Sequence, residues 1–353
     1  MVAVASRPVY PHAARSSESR PRRIVRVLFV VIGAACLGCL VAVTGVDGLL
    51  TAARTLSWRM AVLLVFPYAV VALLHTLAWQ CLLPRHRVTL NRLFRVRLAG
   101  EAVNVATWSL GGEPVKAYLL RPLVPFVDAC ATLVVEKTSV TIAQVLFLGV
   151  GLVVTTALFE LPDGFRRAMW ALLGVQLVAV AGFVLIQVGG ISDRVVRRLA
   201  RLGLATPASY SERLVALDRS LVASYTTQRG AILLCTLVHL LGWIVGSLEL
   251  YLVLRWLAVD VSLMHALVID AFGTGVKFLA FAIPGALGVL EGGFMLVFTA
   301  FGLSSGLGLS FTLVRRFRMV AWSALGVLLL ALLRSASSTA VPCTMPSPPH
   351  RAA

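Results

Sequence analysis

Acidic residues are scarce in this chain. Its 353 residues include 15 Asp and Glu against 32 Lys and Arg, and charged residues of both signs make up only 13%. With 59% hydrophobic residues and a mean hydropathy of +0.91, that shortage excludes an ordinary soluble domain and points to a polytopic membrane protein. Soluble-enzyme fingerprints are missing too. There is no GxSxG elbow, P-loop or dinucleotide-binding glycine pattern. None of the six histidines stands in HExxH or another zinc spacing. The six cysteines form no framework. Cys36 and Cys39 have CxxC spacing but lie on one side of an apolar run, where thiols behave as small apolar groups, without metal partners or a βαβ setting. No metal or cofactor is therefore expected. The formal charge of +17 would suit nucleic acid in a soluble chain, but here the basic runs adjoin apolar segments. Such clusters set membrane orientation and attract anionic headgroups instead.

In chain order, the Arg-rich, Pro-containing residues 1–23 read as a disordered cytoplasmic tail. The run 24–46 is too long for a signal h-region and lacks an A-x-A cleavage site, so it is expected to be a retained first span. A second span over about 60–83 carries Pro67, His75 and Gln80. It returns to a basic loop at 84–97 containing Arg85, Arg87, Arg92, Arg95 and Arg97. After an interrupted segment at 98–121, a long helix starts near Asp128. A short outer loop covers 158–166, and 167–190 spans back. Residues 191–229 form a cytoplasmic linker between two hydrophobic halves, 24–190 and 230–334. Within the linker, Val195, Leu199 and Leu202 oppose a face of arginines, which fits either a helix on an anionic leaflet or one packed on the protein. A span at 230–256 holds His239 and Glu249. A weak helix to Gly302, a Ser/Gly turn at 304–308, the cluster Arg315-Arg316-Phe317-Arg318 and a final span to about Leu333 follow. Residues 335–353 are Ser/Pro-rich and read as disordered.

Two stretches carry the chemistry. In Gly100 to Arg121, Glu101, Glu113 and Lys116 sit among apolar residues, and Gly111, Gly112 and Pro114 break the helix. Broken backbone at membrane depth persists only when buried in protein or facing a wet cavity. Each charge there costs about 2.5–3.5 kcal/mol, so these groups read as cavity-facing. The alternative is an interfacial helix and polar loop on the cytoplasmic surface. The second half echoes the device with Asp270, Gly273, Gly275 and Lys277, leading into Pro284, Gly288, Glu291, Gly292 and Gly293. Paired Gly/Pro-interrupted segments in two halves point to a transporter's substrate site. Glu136 and Lys137, adjacent on one helix, cannot both point the same way, and one is expected to face the cavity.

Taken together, GEAVN…GGEPVKAYLLR, Val135-Glu136-Lys137, IPGALGVLEGG and the arginine before the final span resemble the flippase-like transmembrane domain of lysylphosphatidylglycerol synthase. That family includes stand-alone membrane proteins, some associated with hopanoid biosynthesis. The resemblance covers about residues 25 to 334. It implies a helical membrane domain with re-entrant segments and a lipid-translocating role. Position by position it points to Glu101, Asn104, Gly111, Gly112, Glu113, Lys116, Glu136, Lys137, Gly288, Glu291, Gly292 and Arg315 or Arg316. The chain departs from the family in lacking a proline between Asn104 and Gly111. It also has Lys137 where arginine is usual, and lysine cannot hold a phosphate bidentately. No soluble acyl-transferase domain follows residue 334, so lipid aminoacylation is not expected.

The expected fold is an all-α integral membrane protein with about 6–8 transmembrane helices and two re-entrant segments. The expected function is not enzymatic. It is translocation of an anionic phospholipid or a polyprenyl- or hopanoid-type lipid across the cytoplasmic membrane, with the amino terminus inside. Lys116, Lys137, Lys277 and Arg315 would receive the headgroup while the carboxylates keep those bases apart. Without an ATPase motif, movement would be passive or ion-coupled. Three other readings stand beside it: internal ion pairs that lock helices together, a scaffold recruiting lipid-synthesis enzymes, and an intramembrane lipid-linked transferase using Glu101, Glu113 and Glu291.

Overall fold

A computed structural model describes residues 58–84, 87–106, 111–189, 208–280 and 288–338. The expected first span at 24–46, the terminal tails 1–23 and 339–353, the linker residues 190–207 and Pro284 lie outside the described residues. The described residues form eleven helices. They are α1 (Trp58–Val65), α2 (Tyr68–Gln80), α3 (Leu90–Ala106), α4 (Gly112–Leu120), α5 (Phe126–Leu158) and α6 (Asp163–Val188). After the linker come α7 (Ala208–Thr227), α8 (Arg229–Trp256), α9 (Leu263–Leu279), α10 (Val289–Ala300) and α11 (Ser305–Ser338). Five stretches are long and apolar enough to cross a bilayer: Ala61–Gln80, Phe126–Leu158, Asp163–Val188, Arg229–Trp256 and Ser305–Leu333. The protein is an all-helical, multi-pass membrane protein.

Large apolar side chains such as Val178, Leu185, Leu233 and Leu296 stay exposed, as lipid-facing residues do. With no water to expel between spans, the helices are held by close packing and by polar contacts. Phe272, Phe294, Phe298 and Phe311 fill one core where α9, α10 and α11 meet. Trp79, Leu93, Val96, Leu119 and Leu330 fill a second, between α2, α3, α4 and α11. Between α11 and α3 the approach is close enough that a methyl group at Gly326 would overlap Ala102 and the Leu98 carbonyl.

Several expectations need correction. Arg92, Arg95 and Arg97 belong to α3 and not to a loop. Arg97 is buried, so it is not one of the cytoplasmic charges that set orientation. The outer loop shrinks to 159–162, because α5 runs to Leu158 and α6 starts at Asp163. The Ser/Gly turn at 304–308 and the late start of the final span are also overturned. α11 begins at Ser305 and continues unbroken through Arg315, Arg316 and Arg318. Charge was read as a boundary there, but carboxylates on neighbouring helices allow those arginines inside a helix.

Candidate functional site

The break at Gly111-Gly112 is the corner of a helical hairpin. Gly112 opens α4, and Pro114 sits in its first turn, where the missing N–H costs no helical hydrogen bond. Asn104, near the end of α3, caps that start: its Oδ1 accepts from the Gly112 N–H at 2.8 Å and its Nδ2 donates to Glu113 Oε1 at 3.0 Å. α4 runs back along α3, so that Lys116 reaches Glu101. The Lys116 stem crosses directly over Gly100, where a Cβ would overlap it, and a Cβ on Gly112 would strike the Gly100 carbonyl and Asn104. Two small residues thus let two helices pass with a lysine folded between them.

Around this hairpin lies a continuous chain of ion pairs. Lys116 Nζ is 2.7 Å from Glu101 Oε1 and 3.1 Å from Glu113 Oε1. Lys137 Nζ reaches Glu113 Oε1 from α5 at 3.0 Å. Arg97 binds Glu136 Oε1 at 3.0 Å and lies 3.9 Å from Glu101. Glu136 and Lys137 were expected to point apart. They do so only within one network, Glu136 fully buried against Arg97 and Lys137 38% exposed beside Glu113. Three bases and three carboxylates balance here. Each is held by at least one opposite charge, as membrane burial requires.

A second set gathers around α11. Arg315 donates from Nη2 to Asp270 of α9 at 2.6 Å and from Nε to Glu249 of α8 at 3.3 Å. Arg318, one turn on, also pairs with Glu249. The Arg315 guanidinium lies 4.4 Å from the Phe311 ring centre, and that of Arg318 lies 4.3 Å from the Tyr68 ring centre, both within cation–π range. A third pair joins Arg316 to Glu291 at 2.8 Å. Glu291 also accepts from the Gly288 N–H at 2.8 Å, capping α10. Gly288 has φ +76°, a left-handed conformation that residues with a Cβ adopt at a cost. Gly292 faces open space.

Lys277 near the end of α9 feels charges of both larger sets, Arg315 and Arg318 from one and Glu101 and Lys137 from the other. It is exposed, rests 5.8 Å from the Trp243 ring centre, and has no ion pair among the described residues.

The predicted residues therefore divide. Glu101, Asn104, Gly112, Glu113, Lys116, Glu136 and Lys137 come together, with Gly111 at the hairpin corner. Arg315 belongs to the second set, Gly288, Glu291 and Arg316 to the third, and Lys277 joins none of them among the described residues. Sequence reasoning left Arg97, Glu249, Asp270 and Arg318 off the site. The signal was present, because an intramembrane carboxylate needs a partner and Arg315 and Arg318 share one helix face at i, i+3.

The family described as the lysylphosphatidylglycerol synthase TM region matches residues 24–333, nearly all of the chain. The chain belongs to this family. As a member of it, the chain is a lipid-related membrane protein. A UPF0104 membrane protein of Methanothermobacter thermautotrophicus is 25% identical over 329 residues, spanning 85% of this chain and 93% of that protein. No solved structure matches.

Proposed function

We propose that this chain translocates an anionic lipid headgroup, and that Lys277 and the two ion-pair sets beside it form the headgroup path. Lys277 is the observation that carries the reading. The other charges around it are matched by carboxylates, whereas this lysine is exposed among charged side chains with no counter-ion among the described residues. An uncompensated cation inside a membrane domain is costly unless water or a ligand neutralises it, and a phosphate-bearing headgroup supplies that charge. Glu101, Glu113 and Lys137 remain partly exposed, which supports access to the same space. The ion pairs serve as well to lock helices, and the two roles are compatible: the pairs hold the walls and Lys277 meets the ligand. The cytoplasmic membrane, with the amino terminus inside, is the proposed location.

Liposomes carrying a fluorescent anionic phospholipid, reconstituted with wild-type protein, test this. Lipid movement should be seen with wild type and should be lost in Lys277→Gln while that variant remains folded. Wild-type liposomes that move no lipid would favour a scaffold, and chemical conversion of the lipid would favour a transferase. Full movement with Lys277→Gln would refute the assignment of Lys277.

A further inference from the structure

His75 on α2 and His239 on α8 both lie in membrane-crossing stretches. Their rings approach with centres 4.7 Å apart, Nδ1 to Nδ1. Gly242 makes room for the contact, since a Cβ there would meet His75 Cε1 at 3.2 Å. Two imidazoles facing through the same nitrogen share one proton, one donating and the other accepting. The far nitrogen of His239, Nε2, is buried without a hydrogen bond and faces Glu136 Oε1 at 3.5 Å. Glu136 Oε2 is buried without a partner as well. His239 and Glu136 are almost wholly buried, at 0% and 1% exposure. In the tautomer in which His239 Nδ1 donates to His75, Nε2 keeps a free lone pair, and with the unpartnered Glu136 oxygen on the neighbouring group it describes a site for a proton.

We propose that His239 and Glu136, backed by His75, bind a proton whose uptake is coupled to headgroup binding. The step is a simple protonation of that tautomer: hydronium gives up H⁺ and leaves as water, an N–H bond forms at His239 Nε2, and the imidazolium donates to Glu136. The groups facing the site are His75 from α2, Arg97 and Glu101 from α3, Lys116 from α4, Glu136 and Lys137 from α5, and Cys235 on α8 itself. Arg97 ties them together, donating both to Glu136 and to the His75 carbonyl at 3.2 Å. A new cation at His239 competes with Arg97 for Glu136 and favours Arg97 moving onto Glu101, the next carboxylate along. The balanced network becomes positive by one charge, which favours an anion. By linkage, a bound anion must favour the proton equally.

This inference deepens the translocator reading and rests on it for the identity of the anion, but the proton site has its own readout. The Trp243 ring lies 6.0 Å from the His75 ring, centre to centre, and a protonated imidazole quenches indole emission. Full-length protein in zwitterionic nanodiscs, titrated between about pH 3 and 8 because burial lowers the midpoint of a histidine, should show a one-proton transition in the emission that Trp243→Phe removes. His239→Gln should abolish it. Where that variant fails to fold, nitrogen NMR of the wild-type histidines should show both rings changing together. Adding phosphatidylglycerol should raise the midpoint by about 0.7 pH unit or more, a five-fold coupling, and Lys277→Gln should lose that rise. Absence of the transition, its survival in His239→Gln, or an equal rise in Lys277→Gln, as surface potential alone would give, overturns the proposal. A protein that moves lipid without titrating defeats the proton site only; one that titrates without moving lipid defeats the translocator only.

Discussion

Glu249→Gln isolates the second ion-pair set, because Glu249 is 2% exposed and takes both Arg315 and Arg318. Two carboxylates and two guanidiniums balance in the wild type. The substitution keeps the shape of the side chain and leaves Asp270 alone to neutralise both arginines. Removing one partner from a buried pair costs about 3–5 kcal/mol. The retained amide oxygen still accepts a hydrogen bond, so about 2–4 kcal/mol is expected. At roughly 2 °C per kcal/mol for a protein of this size, the melting temperature in detergent should fall by about 4–8 °C. Asp163→Asn is the internal standard. It breaks the pair with Arg166, whose side chains are 74% and 42% exposed, and such surface pairs contribute under about 1 kcal/mol. Adding Arg318→Leu to Glu249→Gln restores one base to one acid, so the double variant should be more stable than the single. If Glu249→Gln melts within about 2 °C of the wild type, or if the double variant is the less stable, this set is not what fixes α8 and α9 against α11.

Other substitutions probe the hairpin, the cap and the topology. Gly112→Ala should cost at least about 1–3 kcal/mol, since the new methyl meets a carbonyl and the Asn104 amide and not a yielding side-chain end; wild-type thermal stability would disprove the α3–α4 contact. Gly288→Ala meets no atom within 4 Å, so its cost should be only the backbone strain of about 1–3 kcal/mol that a side chain meets at φ +76°, ψ −39°; wild-type thermal stability would show that this backbone conformation is not what requires glycine. Lys116→Met should lower the melting temperature more than Lys277→Gln, because Lys116 neutralises two carboxylates and Lys277 neutralises none among the described residues. A cysteine at Arg213 on α7 should react with a membrane-impermeant reagent only from the cytoplasmic side, the side implied by the arginines of the linker; labelling in intact cells would reverse the orientation.

Length and apolar runs were enough to read most spans, because a membrane helix satisfies its own backbone and its composition follows from the solvent. The 230–256 stretch falls within one residue of α8. What the sequence hid was which charges meet. Arg97 read as a cytoplasmic charge because it follows Arg92 and Arg95, yet it sits on the helix face that turns toward Glu136. Arg315, Arg316 and Arg318 read as a boundary because three cations in four residues cannot enter lipid alone. Their partners come from α8, α9 and α10, and pairing across that distance is set by tertiary packing that no local pattern encodes. The hairpin was legible for the opposite reason: Glu101, Asn104, Glu113 and Lys116 are partners within one short stretch.

That contrast bears on how the chain is made. The α3–α4 hairpin carries its own counter-ions and can be electrically complete soon after Lys116 leaves the ribosome. Glu249 and Asp270 enter the membrane before any base that will hold them, since Arg315 follows Glu249 by 66 residues. At about 5–20 residues per second the interval is roughly 3–13 s. During it, two carboxylates in the second half stand unmatched, either protonated or sheltered by the insertion machinery, until α11 arrives. The same late helix closes onto α3 through Gly326. Assembly is thus gated by the last helix described, and ribosomes stalled before Arg315 should display a second half still open to proteases while the hairpin already resists them.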